Sequence, residues 1–192
     1  AVKVRENKGY KCALGMQLIL LPENYHEAVL LAQRAKDMGM DYLVIKPYSQ
    51  HPFSRTTQYK DIKYSDYFHL SDTLNNLNGD RFSIIFRVNT MKKWDEGRRS
   101  YRQCLALPFW SYIDAGGTVW GCSAYLTDKR FIYGNIYENT FKEIWEGEKR
   151  IKSVRYAEEE LDTNQCRVNC RMDEINRYLW QLRHPPEHVN FI

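Results

Sequence analysis

Apolar positions in the first ninety residues form continuous runs on either side of one stretch with helical spacing. Residues 15–21 make a run of strand length, and residues 42–45 make another. Between them, apolar residues recur at helical spacing over 28–35, and Gly39 is placed to end that helix. Uninterrupted apolar strands are typical of a parallel sheet covered on both faces. The pattern therefore predicts a strand–helix–strand unit and an α/β fold class.

The ends of these two strands carry polar residues. Asn24, with Glu27 three residues later, predicts a capping box at the start of the helix. A right-handed strand–helix–strand crossover places both strand ends at one edge of the sheet. We expect Asn24, Lys46 and Tyr48 at this edge, where α/β proteins build binding sites. Asn24 is also explained by capping alone, and Lys46 by a lysine that extends to solvent.

The rest of the first half is less regular. Residues 48–64 read as a long loop, and a helix is expected over 66–78. A further strand is expected over 82–88. Residues 89–103 are charged and are interpreted as an irregular, solvated segment next to a domain boundary.

The second half has a different pattern. Residues 109–120 predict a β-hairpin with its turn at 115–117. Thr140 and Glu143 predict a second capping box, which opens a helix with an aromatic face. A last helix is expected over 170–184, before a Pro-Pro pair, with its apolar residues on one face.

Composition and charge narrow the classes of protein. Hydrophobic residues make up 43% of the 192 residues and charged residues 27%, as in ordinary globular proteins. The net charge of +4 comes from basic and acidic residues that are mixed along the chain, so we expect no nucleic-acid partner. No run of about eighteen apolar residues occurs, so no membrane span is expected. Five cysteines without a visible signal peptide favour a reducing, cytoplasmic location.

Four cysteines of the second half form the candidate metal site. Cys104 and Cys122 are separated by 17 residues, and Cys166 and Cys170 by three. All four fall at predicted strand ends, turns or helix starts, from which thiolates converge on one centre. Their spacing alone leaves an iron–sulfur cluster, structural zinc, disulfides and free thiols open. Cys12 stands apart and is interpreted as a core or surface cysteine.

The context of these cysteines resembles a known family. Cys104-x12-Gly117-x4-Cys122 is followed by Gly134-Asn135-Ile136, by Phe141 with Glu143-Ile144-Trp145, and by a closing Cys-x3-Cys-Arg. This order is similar to the SPASM and twitch domains, the cluster-carrying C-terminal extensions of radical S-adenosylmethionine (SAM) enzymes. Four cysteines suit the twitch version, which carries one cluster.

The first half is similar to the last strands of the partial (β/α)6 barrel of the same enzymes. Residues 15–24 look like its fifth strand, and residues 38–47 look like its sixth. The resemblance implies that residues 1–95 are the C-terminal portion of the barrel. It likewise implies that residues 96–192 are a SPASM/twitch-like cluster domain of α+β type.

The resemblance also implies chemistry. The four cysteines would hold an auxiliary 4Fe-4S cluster, while Asn24, Lys46 and Tyr48 would lie where the family binds SAM and substrate. The Cys-x3-Cys-x2-Cys motif for the SAM-cleaving 4Fe-4S cluster is absent, since Asp173 takes the third position after Cys166 and Cys170. This chain alone therefore cannot cleave SAM, and the motif is expected upstream of Ala1.

The implied partners follow from the same resemblance. They are a small-molecule or peptide substrate, an electron donor such as flavodoxin or ferredoxin, and the missing N-terminal half of the barrel. Without that half, we expect the fragment to self-associate through its open sheet edge. The alternative is a non-catalytic binding module stapled by a four-cysteine zinc or iron–sulfur site.

Overall fold

The computed structural model describes residues 1–187. Its contacts divide the chain into two compact units, residues 1–50 with 54–97, and residues 51–53 with the chain from Arg98 onward. The described residues form two small three-stranded sheets with helices, and they contain no closed barrel. The mixed α/β architecture is thus confirmed, while the partial barrel stays a prediction. No helix within residues 1–187 has the length and apolar character needed to cross a membrane.

The first unit is built on a parallel sheet of three strands. These are β1 (Gly15–Leu20), β2 (Tyr42–Pro47) and β3 (Ser83–Phe86), in the spatial order β1-β2-β3. Leu43 and Ile45 of the central strand are fully buried. The predicted strand–helix–strand unit is confirmed, because the two apolar runs form the parallel strands β1 and β2, and the chain between them forms a helix.

Helices pack against this sheet, and one of them was missed by the sequence pattern. Residues 89–103, expected to be irregular, begin with a helix whose Met91 and Trp94 are buried one turn apart. The helix expected over 66–78 is shorter, because a 3-10 turn (Tyr64–Tyr67) precedes it. The helices of this unit are α1 (Val2–Lys8), α2 (Ala28–Asp37), α3 (Leu70–Asn75) and α4 (Val88–Glu96).

The capping box predicted at Asn24 is wrong. The Asn24 side chain caps no helix; its Oδ1 accepts from the Leu21 amide at 2.9 Å, and its Nδ2 donates to the Ile19 carbonyl at 3.1 Å. These bonds close the turn that leaves β1, and a 3-10 turn (Tyr25–Glu27) then leads into α2. The side chain bonds to the end of the preceding strand rather than to the start of the following helix, since Asn side chains also hydrogen-bond to nearby backbone groups in turns.

The second unit contains the predicted hairpin in a shorter form. Its strands are β4 (Tyr112–Ile113) and β5 (Thr118–Trp120), and β6 (Ile132–Asn135) pairs antiparallel with β5. The turn between β4 and β5 needs Gly117 in the left-handed region, at φ of 79°. The hairpin ends two residues before Cys122, so the sheet fixes the position of the Cys122 backbone.

Three helices complete this unit. The capping box at α5 (Phe141–Glu146) is confirmed, with both reciprocal bonds between Thr140 and Glu143 present. Helix α6 (Glu148–Glu159) follows directly at Gly147. Helix α7 (Asp173–Arg183) ends before the Pro-Pro pair, as predicted.

The buried face of α7 differs from the apolar face that its sequence suggests. Ile175 is 40% exposed and Leu182 61% exposed, whereas Asp173 and Asn176 are almost completely buried. The helix therefore turns polar side chains towards the interior of the unit. Both make hydrogen bonds there, which offsets the cost of burying them.

Candidate metal centre

The four predicted cysteines of the second unit line one pocket. Cys104 precedes a 3-10 turn (Leu107–Phe109), and Cys122 follows β5. Cys166 follows another 3-10 turn (Thr163–Gln165), and Cys170 precedes α7. The cavity that these and the other lining residues enclose has a volume of about 30 Å³. The fold thus brings together thiols that lie far apart in the chain.

The wall of this pocket is largely apolar. Leu107, Ala124, Phe131 and Leu161 contribute to it, and most of them belong to the core of the unit. Such surroundings disfavour isolated thiolates and exclude water. They suit a group that supplies compensating positive charge to several thiolates at once.

Burial shows its effect on the thiols. Loss of solvent around Cys104 raises the pKa of this thiol to about 12, and the same cause raises the pKa of Cys122 to about 11. Burial also raises the pKa of the Cys166 thiol. Neutral thiols are favoured in the metal-free pocket, so the binding of a metal centre there would release protons.

The chemistry of this donor set fits an iron–sulfur cluster. Four thiolates are the usual ligands of a 4Fe-4S cluster and also of structural zinc. Within residues 1–187, no group of three or more His, Cys, Asp or Glu side chains stands close enough to hold a metal ion.

Hydrogen-bond donors are directed at three of the sulfurs. The Asn176 Nδ2 lies 3.8 Å from the Cys104 Sγ, and the Tyr125 hydroxyl lies 3.5 Å from the Cys166 Sγ. The Met172 amide donates to the Cys170 Sγ at 3.4 Å. Donors of this kind orient thiolate ligands and stabilise their negative charge.

Arg99 fixes the segment that carries Cys166. Its guanidinium donates to the carbonyls of Cys166 and Arg167 at 2.8 and 2.7 Å, and also to the carbonyl of Thr163. Its positive charge acts to lower the pKa of the Cys166 thiol, against the larger effect of burial. The interpretation of residues 89–103 as solvated is wrong for this arginine, whose partners lie more than sixty residues away.

A buried polar group anchors the start of α7 beside Cys170. The Asp173 carboxylate accepts from the Tyr101 hydroxyl at 2.9 Å and from the Arg177 Nε at 2.8 Å. Asp173, which stands where the Cys-x3-Cys-x2-Cys motif would have its third cysteine, is thus a structural carboxylate. Sequence reasoning missed this role, and it also missed Arg99, Tyr125 and Asn176, for which the sequence carries no local signal.

The three predicted binding residues of the first unit lie apart from this pocket in the sequence and do not line it. The Lys46 Nζ donates to the Gln17 side chain at 2.7 Å, across neighbouring strands. The Tyr48 amide donates to the Tyr64 hydroxyl at 2.6 Å, and Asn24 holds the turn after β1. Their roles towards SAM or substrate stay predictions.

Comparison with known proteins assigns the cysteine-bearing segment. Residues 104–171 match the family model of the SPASM iron–sulfur cluster-binding domain. The resemblance of the second half to SPASM and twitch domains is thereby confirmed, and iron–sulfur cluster binding is what the matched family model describes. No curated protein and no solved structure matches the chain.

Proposed function

We propose that the chain is part of a radical SAM enzyme and that Cys104, Cys122, Cys166 and Cys170 hold an auxiliary 4Fe-4S cluster. The observation that carries this proposal is the convergence of all four on one apolar pocket inside the matched segment. When bound, the cluster would supply one-electron chemistry to a substrate oxidation or radical modification.

The surrounding residues would control this cluster. The apolar wall, including Leu107 and Phe131, would exclude water from the sulfurs. Asn176 and Tyr125 would donate hydrogen bonds to two ligands, which favours the more negative, reduced state and sets the potential.

The first unit would contribute to SAM and substrate binding in the full-length enzyme. Lys46 lies on β2, Tyr48 follows β2 directly, and Asn24 closes the turn after β1, near the edge where α/β folds bind ligands. The motif for the SAM-cleaving cluster is not among the 192 residues, so radical generation is proposed for the full-length enzyme only. One auxiliary cluster favours a small-molecule substrate over a peptide.

Cysteine variants test the ligand assignment. The full chain would be reconstituted anaerobically with iron and sulfide, and Cys104, Cys122, Cys166 and Cys170 would each be replaced by alanine. We expect each variant to bind less iron than the wild type, because each removes one of four ligands. Cys12→Ala is the matched control, since this exposed cysteine lies outside the pocket. Full iron binding by any of the four variants, or a loss in Cys12→Ala, would contradict the assignment.

A further inference from the structure

One arginine lines the cysteine pocket without a partner for its side chain. Arg167 directly follows Cys166 in the sequence, and it forms part of the pocket wall. Its Nε is buried and has no hydrogen-bond partner among the residues that the structure describes, and its guanidinium forms no ion pair with them. A buried donor that stays unpaired lowers stability, and a charged group does so more strongly. An orphaned group of this kind points to a ligand.

The rest of the pocket wall does not neutralise this charge. The other described residues of the wall are apolar or carry hydroxyl, amide or thiol groups, and no carboxylate is among them. The Asp173 carboxylate, which contacts the wall through Tyr101, also accepts from the Arg177 Nε. A bound metal centre would turn the four thiols of the wall into thiolates, and these would supply the missing negative charge.

A second arginine holds the backbone from which the Arg167 side chain extends. The Arg99 guanidinium donates to the carbonyls of Cys166 and Arg167 at 2.8 and 2.7 Å. These bonds fix the main chain of a cysteine and of the arginine that follows it. Arg99 therefore has a structural task on the backbone, whereas Arg167 is left to face the pocket.

We propose that Arg167 is a positioning residue for the cluster: its Nε donates a hydrogen bond to a cluster sulfur and thereby raises the reduction potential. The inference rests on the proposed function, because the acceptor belongs to the cluster. Four thiolates around an iron–sulfur core leave a net negative charge, which grows when an electron is added. A guanidinium beside these sulfurs therefore stabilises the reduced state more than the oxidised state.

The test measures the reduction potential of the anaerobically reconstituted full chain, without SAM or substrate. A titanium(III) reductant supplies the electron, and electron paramagnetic resonance follows the reduced cluster. Arg167→Met removes the charge and the donor but keeps a long side chain, whereas Arg167→Lys keeps the charge. Arg102→Met is the matched control, since this exposed arginine lies two residues before Cys104.

We expect Arg167→Met to disfavour reduction about tenfold, which lowers the potential by about 59 mV for one electron. Arg167→Lys should lie closer to the wild type, because its ammonium keeps the positive charge. Arg102→Met should keep the wild-type potential, because solvent screens an exposed charge. An unchanged potential in Arg167→Met, as for an arginine that serves a substrate anion instead, would overturn the proposal. An equal decrease in Arg102→Met would overturn it too.

Hydrogen exchange of the metal-free full chain separates this role from a purely structural one. The Cys166 amide donates to the Thr163 carbonyl at 3.1 Å, so its exchange reports opening of the segment next to Arg167. Arg167→Met removes a buried donor that has no partner, and we expect about tenfold slower exchange than in the wild type. Faster exchange would mean that Arg167 stabilises the pocket without a cluster, which contradicts the proposal.

Iron and sulfide content is measured on every variant. If Arg167→Met binds no cluster, Arg167→Gln takes its place in the titration, with the same expected decrease in potential. A normal cluster of unchanged potential in these variants rejects this inference alone. A wild-type chain that binds no cluster rejects the proposed function, and this inference with it.

Discussion

Replacing Asn176 by alanine perturbs the candidate metal centre without changing any of its cysteines. Asn176 is 2% exposed and lies in α7. Its Oδ1 accepts from the Ala106 amide at 2.8 Å, and its Nδ2 points at the Cys104 Sγ from 3.8 Å. One side chain thus holds the segment that carries Cys104 and also contacts the sulfur. Alanine removes both interactions and changes no cysteine.

The loss of stability follows from the Ala106 amide, which the substitution leaves without its hydrogen-bond acceptor. A buried amide that loses its acceptor costs about 1–3 kcal/mol. The cavity left by the missing side chain adds to this cost. The contact with the sulfur is long and contributes less. We therefore expect Asn176→Ala to lower the free energy of opening around residue 106 by about 2–3 kcal/mol.

Hydrogen exchange at the Ala106 amide is the assay. It reports local opening, whereas global unfolding of a chain with two units does not give one free energy. At about 1.4 kcal/mol for each tenfold change, the loss corresponds to roughly 30- to 150-fold faster exchange. Asn176→Asp keeps an acceptor for the amide and should preserve much of its protection.

Asn164→Ala is the matched control, since this asparagine is exposed and precedes Cys166 by two residues. Its exchange at Ala106 should equal that of the wild type. The reasoning is refuted if Asn176→Ala leaves the protection of Ala106 unchanged, or if Asn164→Ala lowers it equally.

Two further predictions concern local structure. Thr140→Ala removes the hydroxyl that accepts from the Glu143 amide, and we expect hydrogen exchange of the α5 amides to show a loss of about 1 kcal/mol in their free energy of opening, with Thr140→Ser close to wild type. At Asp114, the bond from the Trp120 indole holds the pKa of the carboxyl below its ordinary value of 3.8. A depressed pKa stabilises the fold above pH 3.8, and this stabilisation is lost as pH falls through the lower folded value. During acid titration, the Trp fluorescence of Asp114→Asn should therefore depend less on pH in this range than that of the wild type. The same titration curve for both proteins would contradict the assignment.

The elements predicted correctly are those that local sequence determines. Two apolar runs pair as parallel strands β1 and β2, and the Thr140–Glu143 pair caps α5. The capping box predicted at Asn24 was wrong, because this side chain can bond either to the helix start or to the turn after β1, and it bonds to the turn. Helix α4 was missed because its buried residues, Met91 and Trp94, are few among charged neighbours.

The cysteine site was predictable as a set of residues, but its support was not. Cysteines are rare and chemically distinctive, so the sequence singled out Cys104, Cys122, Cys166 and Cys170 as one candidate group, and the structure lines one pocket with them. Their spacing left the bound group open, and the cluster was implied by the family resemblance. Asn176 binds a backbone amide 70 residues away. Pairings over such distances depend on tertiary packing, and polar residues like this one give no periodic signal.

Mössbauer spectroscopy of the anaerobically reconstituted full chain, with iron, sulfide and zinc determined on the same sample, tests the central claim most directly. The account predicts about four irons and four sulfides per chain, in the spectrum of a 4Fe-4S cluster. A chain that binds one zinc ion in their place, or that holds the same cluster after all four pocket cysteines are replaced by alanine, would contradict it.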